Sequence, residues 1–418
     1  MKKEPALDKL IRNLIDKYLF EIALGLLILI SVFIRFKLAP NTELSPDYDF
    51  YYRDWVEFYR QNGIIKGLSN APGDYYVPFN VIYALCSLLP CEAWVPLSIV
   101  PAVCELISAL FIYNIFYFLT GRKRASVLAG VMTLYLPFVI FDGALWKQVD
   151  AVYTCFLMIA VYKLLQQKYR ASMIWYSVAF AFKLQSILFL PIYLIIYIIG
   201  GFTDTDKPEK EDGKKTAFSI LEFLWIPVVY LIAGLPEVLA KHGLRATYFA
   251  YLDQTAELDS EGYGMVSFFP NIYNWGFDDH YKLLSSAAVM VLAAVLVIIA
   301  VFCYRFREKI DRNKVLYLAI WTAWTCVILL PGMHERYDYA MLILLTPFAI
   351  MVRKKIVPFM VVANICSLIV YGITLFGADI IDIAYVSVFY VASYLFVTAD
   401  IVVFLNGGNE RSEAKKSF

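Results

Sequence analysis

The chain has 418 residues, of which 61% are hydrophobic, 17% aromatic and 17% charged, with a formal net charge of +1. So much apolar surface excludes a soluble globular domain, and the balanced charge gives no ground for a nucleic-acid partner. Apolar runs of roughly 17 residues or more recur from end to end, which excludes a barrel, whose strands alternate apolar and polar positions over about ten residues.

In chain order, the first run, near 19 to 34, follows a polar start rich in lysine and lacks a small-residue cleavage site, so it reads as a retained first crossing. Residues 35–93 form a first outer loop. Within it "VPFNVIYALCSLLP", 77 to 90, is too short to cross and suits a helix lying in the interface. Crossings follow near 94 to 119, 125 to 141 and 151 to 166, the last two joined by the outer turn "DGALWKQVD", 142 to 150. Residues 171 to 200 must leave and return, and so divide into two short tilted segments that meet at "FKLQ", 182 to 185. Helices near 217 to 234 and 284 to 304 flank a large outer loop, 235–283, and helices near 315 to 331 and 340 to 352 flank "GMHERYDYA". Two more, near 356 to 376 and 384 to 405, lead into a tail, 406–418. The expected fold is an all-α polytopic membrane protein, one integral membrane domain over 1–418 with about 12 transmembrane helices, range 11–13.

Basic clusters at Lys2 to Lys17, Arg122 to Arg124, Lys163 to Arg170, Lys207 to Lys215, Arg305 to Lys314, Arg353 to Lys355 and Arg411 to Lys416 hold most of the 37 lysines and arginines. The positive-inside rule puts them, with both termini, in the cytoplasm of a cell membrane. Asp47, Asp49, Lys147, Gln148, Asp150, Lys183, Gln185, His334, Glu335 and Arg336 then fall at or near the outer boundary. Ionisable groups are costly to desolvate there, so a converging set marks a site. The helix middles are nearly clean, with Glu105, Glu222 and Asp400 the exceptions. The seven cysteines lack metal-type spacing and read as small core residues, with Cys86 and Cys91 the one conceivable disulfide.

Each motif has a plain and a chemical reading. "SPDYDFYYRDW", 45 to 55, is an interfacial aromatic belt, or it holds Asp47 or Asp49 in an aromatic cleft as a general base. Asp74 in "GDYYVPF" caps a helix or positions substrate. Lys147, Gln148 and Asp150 form a turn or a site. Lys183, with apolar neighbours on both sides, needs an anion or open water to hold its charge. In "HERYDY", Glu335, Arg336 and Asp338 form a structural ion-pair knot, or Arg336 grips a phosphate with its two-pronged fork while His334 donates to the same group. No nucleotide-binding glycine loop and no metal-type histidine spacing occur, so the donor substrate should be a lipid, with no cofactor and no divalent metal implied.

In this order, "SPDYDF", "GDYYVPF", "LWKQVD", "FKLQSILFLP" and "MHERYDY" resemble the polytopic C-type glycosyltransferases, among them the bacterial mannosyltransferase-like proteins related to the second mannosyltransferase of glycosylphosphatidylinositol assembly. "LWKQVD" departs from that family, where Gly-Gln-Asp is more usual and lysine absent. The resemblance implies inverting transfer of a hexose, mannose being the family's commonest sugar, from a polyprenyl-phosphate sugar to a hydroxyl of a glycan or glycolipid acceptor on the outer face, in building the cell envelope. It places the base in the first outer loop, at Asp47 or Asp49. Arg336 and His334, with Lys183 and Lys147, would hold the donor phosphate; Glu335, Gln148, Asp150, Gln185 and Asp74 would position substrate. The outer loop with Tyr263, Trp275, Asp278 and Asp279 is an acceptor lid or plain packing. A transporter or flippase of lipid-linked sugars, or a ligase using a diphosphate donor, are the alternatives; a transporter would need polar residues along several helix interiors.

Overall fold

The computed structural model describes residues 6–73, 75–203, 217–254, 268–277, 280–378 and 380–407. Among them every regular element is helical, as the solvent demands: in hydrocarbon a backbone must satisfy its own polar groups, and a helix does so within one segment. Asp74, Tyr263, Asp278, Asp279 and residues 408–418 of the tail lie outside the described residues.

Among the described residues six helices are long and apolar enough to cross a membrane: Leu7–Leu38, Trp94–Thr120, Ile220–Leu239, Leu283–Arg305, Lys354–Phe376 and Ile383–Asn406. The chain is a multi-pass membrane protein. A seventh span is broken, Lys123–Thr133 and Pro137–Trp146 meeting at 53°. Leu136 before the proline is extended, φ −64 and ψ 126, since a proline ring crowds its predecessor out of helical geometry. The remaining expected crossings are shorter or more polar helices: Asp150–Leu165, Tyr169–Phe182, Leu184–Ile199, Arg312–Leu329 and Tyr339–Met351. The segment expected in the interface is the ten-residue helix Val77–Cys86. Cys86 and Cys91 are both free thiols.

The first helix is longer than its apolar run predicts, Ala6–Leu38, because its polar start continues the same helix. Helix ends are set locally. Asp311 accepts from the Lys314 amide at 3.0 Å and Asp382 from the Ala384 amide at 2.8 Å, each satisfying an orphan donor of a first turn.

The three polar exceptions inside the bundle are all paired. Glu105 binds Arg35, whose guanidinium also donates to the Leu134 carbonyl at 3.0 Å, tying three helices together. Asp400 takes a two-pronged grip from Arg353, both contacts at 2.9 Å, and a hydroxyl from Tyr317 at 3.0 Å. Glu222 accepts from the Trp225 indole at 3.1 Å and pairs with the Arg170 guanidinium at 3.6 Å. None is left facing lipid with an uncompensated charge.

Small residues let helices approach closely where lipid gives no hydrophobic drive for association. A Cβ built on Gly130 would lie 2.4 Å from the Ala109 carbonyl oxygen of the Trp94–Thr120 helix, a backbone atom that cannot step aside cheaply. Gly130→Ala is therefore expected to destabilise the protein by about 1–3 kcal/mol, measured as a lower thermal midpoint in detergent. An unchanged midpoint would show that the two helices are not in close contact there.

Candidate active site

Two π-helical turns, wider than α-helix, occur among the described residues: Tyr48–Tyr52 and Phe141–Trp146. Such turns bulge the chain outward and recur at functional sites. Ser45 joins them, its hydroxyl donating to the Trp146 carbonyl at 2.6 Å and accepting from the Tyr48 amide at 3.2 Å. Asp47 is thereby held over the end of the broken span. Its Oδ2 accepts from the Trp146 indole nitrogen at 2.9 Å and from the Gln148 side-chain amide.

Asp150 opens the Asp150–Leu165 helix, where the positive end of the helix dipole favours a carboxylate. Lys183 ends the Tyr169–Phe182 helix, the favourable end for a cation. It donates to both oxygens of Asp150 at 2.9 Å, and both residues are buried. The anion expected beside this lysine is thus supplied by the protein itself, and the ammonium expected to clamp a phosphate directly is already engaged. Arg336 completes the group. Its Nε lies 3.4 Å from Asp150 Oδ2, its NH1 donates to Glu335, and its guanidinium carbon sits 5.1 Å from the centre of the Trp146 ring. Trp146 therefore bonds Asp47 through its edge and meets Arg336 with its face, so the early acid and the late guanidinium share one cluster.

The knot within "HERYDY" is only half formed. Arg336 pairs with Glu335, but Asp338 turns away and accepts from the Tyr390 hydroxyl at 2.9 Å and the Ser367 hydroxyl at 3.4 Å. These bonds pin the turn to the last two helices. His334 stands 3.8 Å from Glu335, with 19% of its side chain exposed against 13% for Arg336, so both offer an open edge on the same rim. Burial alone would raise the Glu335 pKa, but Arg336 and then His334 pull it from 4.5 to about 2. A carboxylate depressed in the folded state stabilises fully above its unfolded value; this contribution persists down to about pH 4.5 and fades as pH falls towards 2.

Of the other expected site residues, Asp49 and Lys147 make bonds outside this cluster, whereas Gln185 borders it through Tyr337, which feels both Arg336 and Asp150. Asp49 pairs with Arg53 at 3.2 Å on an exposed surface, its side chain 44% accessible. Lys147 adopts a left-handed backbone, φ 59, which turns its ammonium back onto the Ala144 and Leu145 carbonyls at 3.0 and 2.9 Å, apart from the Arg336 cluster. Gln185 is placed beside the Tyr337 hydroxyl. Burial lowers the Lys147 pKa from 10.5 to about 8, against weaker pulls from Glu43 and Asp49. Between those values the unfolded chain binds more protons than the folded one, so stability should rise as pH increases from about 8 to 10.5. Lys147→Met is expected to flatten that rise in thermal midpoint; an identical pH profile in both proteins would show the lysine to be solvated.

Asp142 is a member that sequence reasoning passed over. It is fully buried, accepts from the Tyr371 hydroxyl at 3.1 Å through Oδ1, and among the described residues has no donor at Oδ2. Trp146 and Tyr371 were equally unmarked. Asp142 stood in a quoted motif, as did Trp146, while a tyrosine within an apolar run gives no signal at all.

No curated protein matches the chain. Residues 79–230 match the model of the dolichyl-phosphate-mannose-protein mannosyltransferase family. The match takes in Gln148, Asp150 and Lys183 but neither Asp47 nor Arg336, so the middle of this site is similar to part of a family of membrane glycosyltransferases.

Proposed function

We propose that the protein transfers a hexose, with mannose the sugar indicated by the family match, from a polyprenyl-phosphate sugar to an acceptor hydroxyl on the outer face of the membrane, with inversion. The supporting observation is that Trp146 binds Asp47 and Arg336 at once, which brings a base and a cation to one indole ring. The acceptor hydroxyl gives its proton to Asp47 as its oxygen bonds the anomeric carbon. On the opposite face the bond to the phosphate oxygen breaks, and its electron pair stays on the leaving polyprenyl phosphate. A phosphate needs charge neutralisation more than a proton, so one carboxylate suffices where hydrolases use two. Arg336 and His334 meet that charge. Lys183 serves as counter-charge to Asp150, so that the guanidinium is not cancelled by two carboxylates. No cofactor beyond the lipid-phosphate donor is called upon. Of the two acids in the first outer loop, Asp47 is the base, since Asp49 is occupied by Arg53 at the surface.

A transporter is disfavoured because the charged residues in the helix middles, Glu105, Glu222 and Asp400, are each engaged by Arg35, Trp225 and Arg353, whereas transport needs polar groups open to a substrate along several helix interiors. The purified protein, incubated with a panel of radiolabelled polyprenyl-phosphate hexoses, is expected to release or transfer sugar from at least one. Movement of intact lipid-linked sugar across vesicles without bond cleavage would overturn the proposal.

A further inference from the structure

The Ile220–Leu239 span buries little of itself: within its Trp225–Leu239 stretch the buried residues are Gly234 and Glu237. A carboxylate withdrawn from water at the end of a membrane helix is costly unless the fold uses it. Glu237 accepts from the Asn80 side-chain amide at 2.7 Å through Oε1, and its Oε2 faces the His242 ring at 3.8 Å. The other ring nitrogen of His242 lies 3.1 Å from the Ser69 carbonyl, which can only accept, so Nδ1 is the donor there. Glu237 thus ties the span to the Val77–Cys86 helix on one side and to the first outer loop on the other.

Asn80 passes this anchorage on. Its side-chain nitrogen carries two hydrogens and has two acceptors, Glu237 and the Tyr75 carbonyl at 3.2 Å, so the backbone just before the Val77–Cys86 helix is fixed to the carboxylate. At the other end of that residue the Tyr75 hydroxyl shares a 3.1 Å hydrogen bond with the Tyr52 hydroxyl. Both tyrosines lie within electrostatic reach of Arg336, and Tyr52 within that of Asp47 as well. A chain of three side chains therefore runs from Glu237 to the neighbourhood of the base and the cation. A second tie joins the same helix and span by a separate path: Tyr76 stacks on Tyr230 with ring centres 4.1 Å apart and donates to the Tyr230 carbonyl at 2.6 Å. Docking alone would be served by either tie, but it is the Asn80 tie that runs on to the tyrosine pair.

We infer that Glu237 is a positioning residue for sugar transfer: through Asn80 it fixes Tyr75, and with it the tyrosine pair that stands beside Asp47 and Arg336. Misplacing reacting groups by about 1 Å can cost about 100-fold in rate, so a carboxylate remote from the chemistry can govern it. The inference rests on the transferase reading above and adds to it a part that never touches substrate.

The test measures kcat and donor KM of the full-length protein with a radiolabelled polyprenyl-phosphate hexose that the wild type cleaves, counting sugar released or transferred. Glu237→Ala and Asn80→Ala should each lower kcat by about 10–100-fold and move KM for the donor by less than about threefold. Glu237→Gln, whose carbonyl still accepts from Asn80, should recover most of that kcat. Tyr75→Phe should lower kcat much as Glu237→Ala does, and the two together should cost no more than either alone, because they cut one chain. Tyr76→Phe is the control: it breaks the other tie between helix and span and should leave kcat within about threefold of wild type. Full kcat in Glu237→Ala, losses that multiply in the double variant, or an equal loss in Tyr76→Phe would overturn the inference while leaving the transferase reading in place. Should Glu237→Ala fail to fold, Asn80→Ala with and without Tyr75→Phe decides by the same comparison. A donor that the wild type never cleaves overturns both.

Discussion

Asp47→Asn is expected to lower sugar transfer by about 10²–10⁴-fold, the usual worth of a positioned general base. The substitution changes little else. Asparagine has nearly the same shape, and its carbonyl oxygen still accepts from the Trp146 indole, which donates to Asp47 at 2.9 Å. What is lost is an oxygen that accepts a proton as the new bond forms. Binding of polyprenyl phosphate, which the proposal assigns to Arg336 and His334, should stay within a few-fold. The paired control is Asp49→Asn, two residues away and tied to Arg53 on an exposed surface. It should keep nearly full turnover, since exposed ion pairs contribute about 0–1 kcal/mol. The measurement is label moved from donor to acceptor in single-turnover reactions. An Asp47→Asn protein retaining more than about a tenth of the rate, or an Asp49→Asn protein losing as much as its neighbour, would remove Asp47 from the chemistry.

The helices were legible because lipid imposes a rule that can be read along one dimension: each crossing needs an apolar stretch of sufficient length. The same rule made Lys183 conspicuous. What it did not reveal is which group answers that charge. Asp150 is 33 positions away, and the partners of Asp47 lie 99 and 101 positions on, so only the folded bundle decides these pairings. Asp338 shows the opposite failure: adjacency to Glu335 and Arg336 made an ion-pair knot plausible, yet the turn aims it at Tyr390 and Ser367. Lys147 shows a similar limit, since its left-handed backbone turns the side chain back onto its own turn. Tyr371 lies deep in the Val357–Phe376 helix and looked like core until its hydroxyl met Asp142.

Arg336→Lys keeps the positive charge and is nevertheless expected to lose about 100-fold or more in kcat/KM. An ammonium cannot hold Glu335 and a phosphate with one planar fork, nor lie over the Trp146 ring as the guanidinium does at 5.1 Å. Arg336→Ala should cost more, and part of that cost will be structural. Breaking one side of a buried pair leaves an uncompensated charge, worth about 3–5 kcal/mol in protein interiors. The damage is unequal: Asp150 keeps both bonds from Lys183, whereas Glu335 is left with His334 at 3.8 Å. A double substitution separates the two roles. Glu335→Gln with Arg336→Met removes both charges, so the thermal midpoint should recover most of what Arg336→Ala loses, because no charge remains buried without a partner. Sugar transfer should not recover with it, since nothing then neutralises the departing phosphate. If activity returned together with stability, Arg336 would be a structural tie, and the phosphate would have to be met by another cation.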